Sequence, residues 1–306
     1  MTPDGTRVAA VDCGTNSIRL LVADVGETLE DVVRRMEIVR LGQGVDRTGR
    51  LAPEAIERTR VALASYAAQI RELGAERVRM VATSASRDAE NAADFRAMVL
   101  DTLGVAPDVI TGDEEARLSF TGAVRGLAGA APPYLVADIG GGSTELVLGG
   151  ETAEAARSVD VGCVRMTERH LHDDPPAAEQ IAAAEKDIVE AITLARETVP
   201  VERARTFVGL AGSVTTVAAL ALELPEYDSA RIHHSRISYQ QVADVTASLL
   251  AATRAERAAL PVMHPGRVDV IGAGALVLRV LMEQVDADEV VASEHDILDG
   301  IAYSLV

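Results

Sequence analysis

Two short stretches hold residue types that could handle phosphate, and the stretches match each other. Both 12-DCGTNSIRLL-21 and 138-DIGGGSTELV-147 set an Asp after an apolar run, a glycine two residues on, and hydroxyl residues before a second apolar run. They align without gaps at an offset of 138 − 12 = 126 residues, which puts Asp12, Gly14, Ser17 and Leu20 on Asp138, Gly140, Ser143 and Leu146. Glycine permits φ > 0 and removes the side chain that would block a ligand. Successive turn N–H groups can converge into an anion-binding nest. Thr15, Asn16 and Ser17 add side-chain donors in the first copy, while Gly140, Gly141 and Gly142 bare the backbone beside Ser143 and Thr144 in the second. An Asp at a strand end can hold a hydrated Mg²⁺ or orient water. One loop alone reads equally well as a tight hairpin turn. Two copies in similar surroundings suggest two phosphate grips facing each other across a cleft.

The surrounding elements must position these loops. Strand-like segments cover 7–12, 17–25 and 30–42. A helix is expected over 53–73, with Pro53 in its first turn and Gly74 at its C-cap. Strand 77–83, helix 87–104, strand 108–110 and helix 113–126 follow. The Gly/Ala/Pro-rich 126-GLAGAAPP-133 reads as a linker. Strands 134–138, 145–149 and 154–160 then repeat the opening. An amphipathic helix over 178–195, strand 206–210, a helix from Ser213, helices across 239–285 and strand 289–292 complete the pattern. Ser293 reads as the N-cap of a last helix, with Asp296 three residues on and His295 in its first turn. The order indicates an α/β chain with an internal duplication. The first domain covers 1–125 and the second 126–293, and a last helix over 294–306 could pack back on the first.

The bulk numbers narrow the chemistry. The chain has 306 residues, 48% of them hydrophobic, enough for two domains with buried cores. A net charge of −18 argues against a nucleic-acid surface, so phosphate must be met locally by backbone N–H groups, a few arginines or metal ions. Lys186 is the single lysine, and it lies in the amphipathic helix. There is no GxxxxGK[ST] loop and no candidate Schiff-base lysine. Neither a membrane span nor a signal peptide is evident. Cys13 and Cys163 form no metal or CxxC pattern and read as free thiols, which sets a cytoplasmic location as the default.

Seven segments together resemble the exopolyphosphatase and guanosine pentaphosphate phosphatase (Ppx/GppA) family, within the actin, sugar kinase and Hsp70-like superfamily. They are 11-VDCGTNSIRLLVAD-24, 82-ATSASRDAENA-92, 110-ITGDEEARLSFTGA-123, 136-VADIGGGSTELVLG-149, 161-VGCVRMTE-168, 209-GLAGSVTTVA-218 and 265-PGRVDVIGAGALVL-278. The closing 293-SEHDILDGIAYSL-305 lacks the Arg of the family's Gly-x-Arg-x-Gly pattern. The resemblance implies two duplicated actin-like (ribonuclease H-like) domains with an interdomain cleft and no C-terminal helical extension. It implies release of terminal orthophosphate from inorganic polyphosphate, with pppGpp hydrolysis and phosphotransfer from polyphosphate or ATP as alternatives. Mg²⁺, or Mn²⁺ in its place, and a homodimer are implied as well. The acidic charge predicts a preference for short chains.

Within that resemblance the base for water maps onto Glu114, with Glu115 as fallback. Adjacent helical side chains diverge by roughly 100°, so both cannot face one site. Acidic residues also simply favour a helix N-terminus. Asp138, Glu145 and Asp12 are the candidate metal ligands. Glu145 aligns with Arg19, so Arg19 could meet phosphate where Glu145 serves metal or water. Arg87, after 83-TSAS-86, could hold phosphate oxygens bidentately. Gly212 and Ser213 open a helix after a strand, a natural anion site. For Arg165 and Arg267 a structural salt bridge is an equal reading. The adjacent His233 and His234 have no metal-ligand partner at a useful spacing.

Overall fold

The computed structural model describes residues 5–127 and 129–306 and divides into two compact units. One unit runs up to Gly122 and takes in Ile297–Val306, and the other is Ala123–Asp296. Of the expected linker, Ala128 lies outside the described residues.

In the first unit, β1 (Thr6–Cys13), β2 (Ser17–Val25) and β3 (Leu29–Ile38) form an antiparallel meander. After α1 (Val45–Thr48) and α2 (Pro53–Leu73), β4 (Arg77–Ala82) joins β1 in parallel. Then come α3 (Ser84–Asp88), α4 (Ala92–Leu103), β5 (Asp108–Val109) and α5 (Gly112–Val124). The sheet order is β3-β2-β1-β4-β5. β1 is apolar from Val8 to Val11 because both of its faces are covered there. Ala9, Val11 and Cys13 enter one core, and Val8 and Ala10 enter another, as the period of two requires.

In the second unit, β6 (Tyr134–Ile139), β7 (Thr144–Gly149) and β8 (Ala153–Val159) repeat the meander. Next are α6 (Cys163–His170), α7 (Ala178–Arg196), β9 (Thr206–Leu210), α8 (Ala211–Ala221), α9 (Ser229–Ile232) and β10 (Arg236–Ser238). α10 (Tyr239–Ala251), α11 (Arg254–Ala258), α12 (Ile271–Gln284) and β11 (Glu289–Ala292) complete it. The order β8-β7-β6-β9-β11 copies that of the first sheet, and β10 is added at the edge.

α13 (Ile297–Tyr303) returns to the first unit and packs its Ile297, Leu298 and Ile301 on β1 and β2. Its buried Asp299 accepts from Arg34 of β3 at 2.6 Å. A Cβ on Gly300 would overlap the Leu118 carbonyl of α5, so only glycine allows that approach.

Three local expectations change. The helix expected over 87–104 splits at residues 89–91, where Glu90 N donates to Gly49 O and Asn91 pairs both ways with the Leu51 backbone. Ser293 does not cap the last helix. Its hydroxyl bonds the backbone of His295, and the helix begins only at Ile297, after that histidine. The turn glycines Gly14, Gly140, Gly141 and Gly142 are not in the left-handed region. At Gly140 the constraint is instead a close approach, since a Cβ there would lie 3.1 Å from Ser143 O.

Candidate functional site

The two Asp turns are the same structure. Cys13 pairs with Ile18 across the first and Ile139 with Thr144 across the second, and both sets of numbers keep the offset of 126. Gly14 N donates to Ser17 O and Gly140 N to Ser143 O, each at 3.0 Å. Cys13 and Ile139 both point into core.

Each turn has its carbonyls drawn away from its amides. In the first, Gly42 N donates to Thr15 O, and Val39 N and Arg40 N both donate to Asn16 O. In the second, the first amides of α6 do this work: Cys163 N reaches Gly140 O, and Val164 N and Arg165 N reach Gly141 O. Arg165 Nε adds a bond to Gly142 O at 2.7 Å. Gly162 makes this docking possible, since a Cβ there would sit 2.5 Å from Gly141 O. The amides of Thr15 and Asn16, and those of Gly141, Gly142 and Ser143, keep no acceptor among the described residues. Consecutive N–H groups without acceptors form an anion nest. The Asn16 amide and the Ser143 hydroxyl are also without partners there. Thr15 and Thr144 are committed, Thr15 to the Ser84 hydroxyl at 2.9 Å and Thr144 to Val161 O at 2.7 Å, so both brace their loops.

Charge separates the turns. Asp12 lies directly across from Arg19, which grips it at 2.7 Å. Asp138 lies directly across from Glu145, and the two are 7% and 1% exposed. Ser158 donates to Glu145 at 2.7 Å. Two buried carboxylates on one sheet face repel unless a cation or proton joins them. Among the described residues no set of three or more His, Cys, Asp or Glu is arranged to hold a metal. The Asp138–Glu145 pair nonetheless suits Mg²⁺, which takes one or two carboxylates and fills its shell with water and phosphate oxygens. At Asp12 the guanidinium already supplies the positive charge.

The first turn of α5 sorts its acids by direction. Asp113 pairs with Arg117 at the surface. Glu114, half-exposed, binds Arg79 at 2.7 Å, and Arg79 also holds Asp108. Glu115 is buried and accepts from Arg87 Nη1 at 3.3 Å, the same atom that donates to Ile110 O at 3.0 Å. Arg87 thus belongs with Glu115 and the Thr83–Ser86 segment, where Ser84 meets Thr15 of the turn.

In α8, Ala211 takes φ 67, and the guanidinium of Arg267 lies where a Gly212 Cβ would be. The Ser213 hydroxyl turns inward against Gly274 and Cys163. Burial pushes the Cys163 thiol up. Tyr227 escaped sequence reasoning. Its hydroxyl contacts Thr215 at 2.7 Å and Glu294 at 2.6 Å, and burial with Glu294 raises its pKa. Arg79 was missed as well, for nothing local in the sequence marks it, and residues 39–42, expected as the end of a strand over 30–42, instead follow β3 as an irregular segment.

A family model described as the Ppx/GppA phosphatase family matches residues 21–306. Exopolyphosphatase 2 of Mycobacterium tuberculosis is 55% identical over 314 residues, covering 98% of each chain. A crystal structure of an exopolyphosphatase-like protein superposes at TM-score 0.94 with 45% identity, covering 97% of this chain and 98% of that one. An Aquifex aeolicus Ppx/GppA structure superposes at TM-score 0.82 with 31% identity, covering 98% and 97%. The two sheets are those of two actin-like domains.

Proposed function

The chain belongs to the Ppx/GppA phosphatase family and is a hydrolase of phosphoanhydride bonds, and from that premise we propose that it is an exopolyphosphatase. It releases terminal orthophosphate from inorganic polyphosphate. The observation that carries the mechanism is the buried Glu115 held by Arg87. Glu115, rather than the Arg79-bound Glu114, takes the proton of the attacking water. Arg87 fixes the carboxylate and meets phosphate oxygens with its remaining N–H groups.

The amides of Gly141, Gly142 and Ser143 hold a phosphate group, and those of Thr15 and Asn16 offer a second grip. Asp138 and Glu145 would hold Mg²⁺, which when bound neutralises charge developing on the phosphoryl oxygens. The net charge of −18 disfavours long-range capture of a polyanion, so short chains are the preferred substrate.

A phosphate-release assay on short polyphosphate, long polyphosphate, pppGpp and ATP, with and without Mg²⁺, tests this reading. Short polyphosphate is expected to be the best substrate. Glu115→Gln should slow release by roughly 10² to 10⁴-fold, with Glu114→Gln within a few-fold of the parent. Far faster hydrolysis of pppGpp would replace the substrate assignment, and an active Glu115→Gln would remove the base.

A further inference from the structure

A planar trans peptide points its carbonyl and its N–H in opposite directions, so whatever holds the carbonyl also aims the amide. The glycine turn of the second unit uses this relation, and all of its peptides are trans. Cys163 N holds Gly140 O at 2.9 Å, which turns the Gly141 amide the other way. Val164 N and Arg165 N hold Gly141 O at 2.9 and 3.1 Å, which does the same for the Gly142 amide. There the first-turn amides of α6 are used up, for Met166 N already bonds Gly162 O.

The third peptide, between Gly142 and Ser143, is held by a side chain. Gly142 O accepts from Arg165 Nε at 2.7 Å and has no backbone donor among the described residues. Gly142 itself offers little steric resistance to rotation of that plane. The matching turn of the first unit uses no such side chain. Its Thr15 O and Asn16 O are held by the backbone amides of Gly42, Val39 and Arg40.

We propose that Arg165 is a positioning residue for phosphate: by holding the Gly142 carbonyl it aims the Ser143 amide into the same nest as the Gly141 and Gly142 amides. It acts through the turn, since its Nε is committed to the backbone. Without it the nest keeps two fixed donors instead of three, because α6 still holds the first two peptides. The proposal rests on the reading of this turn as a phosphate grip.

Amide NMR and calorimetry with tripolyphosphate, without Mg²⁺ so that binding is read apart from turnover, test it. In the parent, the Gly141, Gly142 and Ser143 amide signals should all shift on binding. In Arg165→Met the Ser143 shift should vanish while those of Gly141 and Gly142 remain, and affinity should fall about 10-fold, the size of one lost hydrogen bond. Arg165→Lys keeps a donor and the charge and should recover most of that loss. Arg169→Met removes the same charge one turn further along α6, where the side chain pairs with Asp187, and should bind as the parent does. If Arg165→Met does not fold, Arg165→Ala, which adds no bulk, takes its place. A parent whose three amides do not respond overturns the phosphate grip and the proposal with it. A Ser143 shift that survives in the variant, or an equal loss of affinity in Arg169→Met, overturns the role of Arg165 and leaves the grip standing.

Discussion

The turn at Asp12 and the turn at Asp138 share backbone, register and hydrogen bonds, yet differ in one cross-strand partner. Asp12 faces Arg19, and Asp138 faces Glu145. The first pair neutralises itself within the sheet. The second concentrates two buried carboxylates that gain from an added cation. A duplicated backbone can therefore keep its turn while a single position decides whether the strand-end Asp faces a cation or a second carboxylate. The support behind the turns diverged too: an irregular segment, 39–42, retains the carbonyls in one, and a helix N-terminus does so in the other.

The largest expected effect tests that division directly. Asp138→Asn should lower phosphate release on the order of 100-fold and raise the Mg²⁺ concentration needed, with Asp12→Asn milder. The reverse order in a metal titration would break the assignment. Stability should move in opposite directions at position 19 and its counterpart. Arg19→Gln leaves Asp12 buried beside a lost cation and should cost about 3 kcal/mol in urea unfolding. Glu145→Gln removes a like charge and should leave metal-free stability unchanged or raised.

Smaller effects come from the supports. Gly162→Ala drives a methyl into backbone carbonyls and should cost about 2 kcal/mol. Gly42→Ala meets the side chains of Thr15 and Ala85 rather than backbone, and should cost less, about 1 kcal/mol. Equal costs in thermal unfolding would mean the two supports are equally rigid.

The smallest effect lies beside the second turn's sheet edge. His233, His234 and His295 stack with ring centroids 3.7 and 4.4 Å apart. Burial, and then His295, lowers the His234 pKa from 6.5. The unfolded chain thus binds the proton more readily, so this contribution to stability is present above 6.5 and is lost as pH falls below it. Between about pH 8 and about pH 5.5 the melting temperature should drop. His234→Asn should reduce that drop, and an undiminished drop would clear His234 of the effect.

Legibility followed distance along the chain. The hairpin turns, the long helices at 53–73 and 178–196, and the three strands that open each repeat were readable, because period, caps and glycines act within a few residues. Glu114 and Glu115 were not separable, since what distinguishes them is their partners Arg79 and Arg87, which arrive from β4 and α3. Ser213 looked like an anion ligand in sequence, and only the approach of Gly274 and Cys163 turned it inward. The His233–His295 contact joins residues 62 positions apart (295 − 233), beyond any local pattern.

By itself the sequence determined the duplicated α/β plan, the two Asp turns and the near-absence of lysine, since composition and short-range periodicity carry that information. The tertiary structure decided which carboxylate is buried against an arginine and which hydroxyls remain open to a ligand. Those choices depend on desolvation and on partners brought in by packing, and neither is encoded in the spacing of adjacent residues.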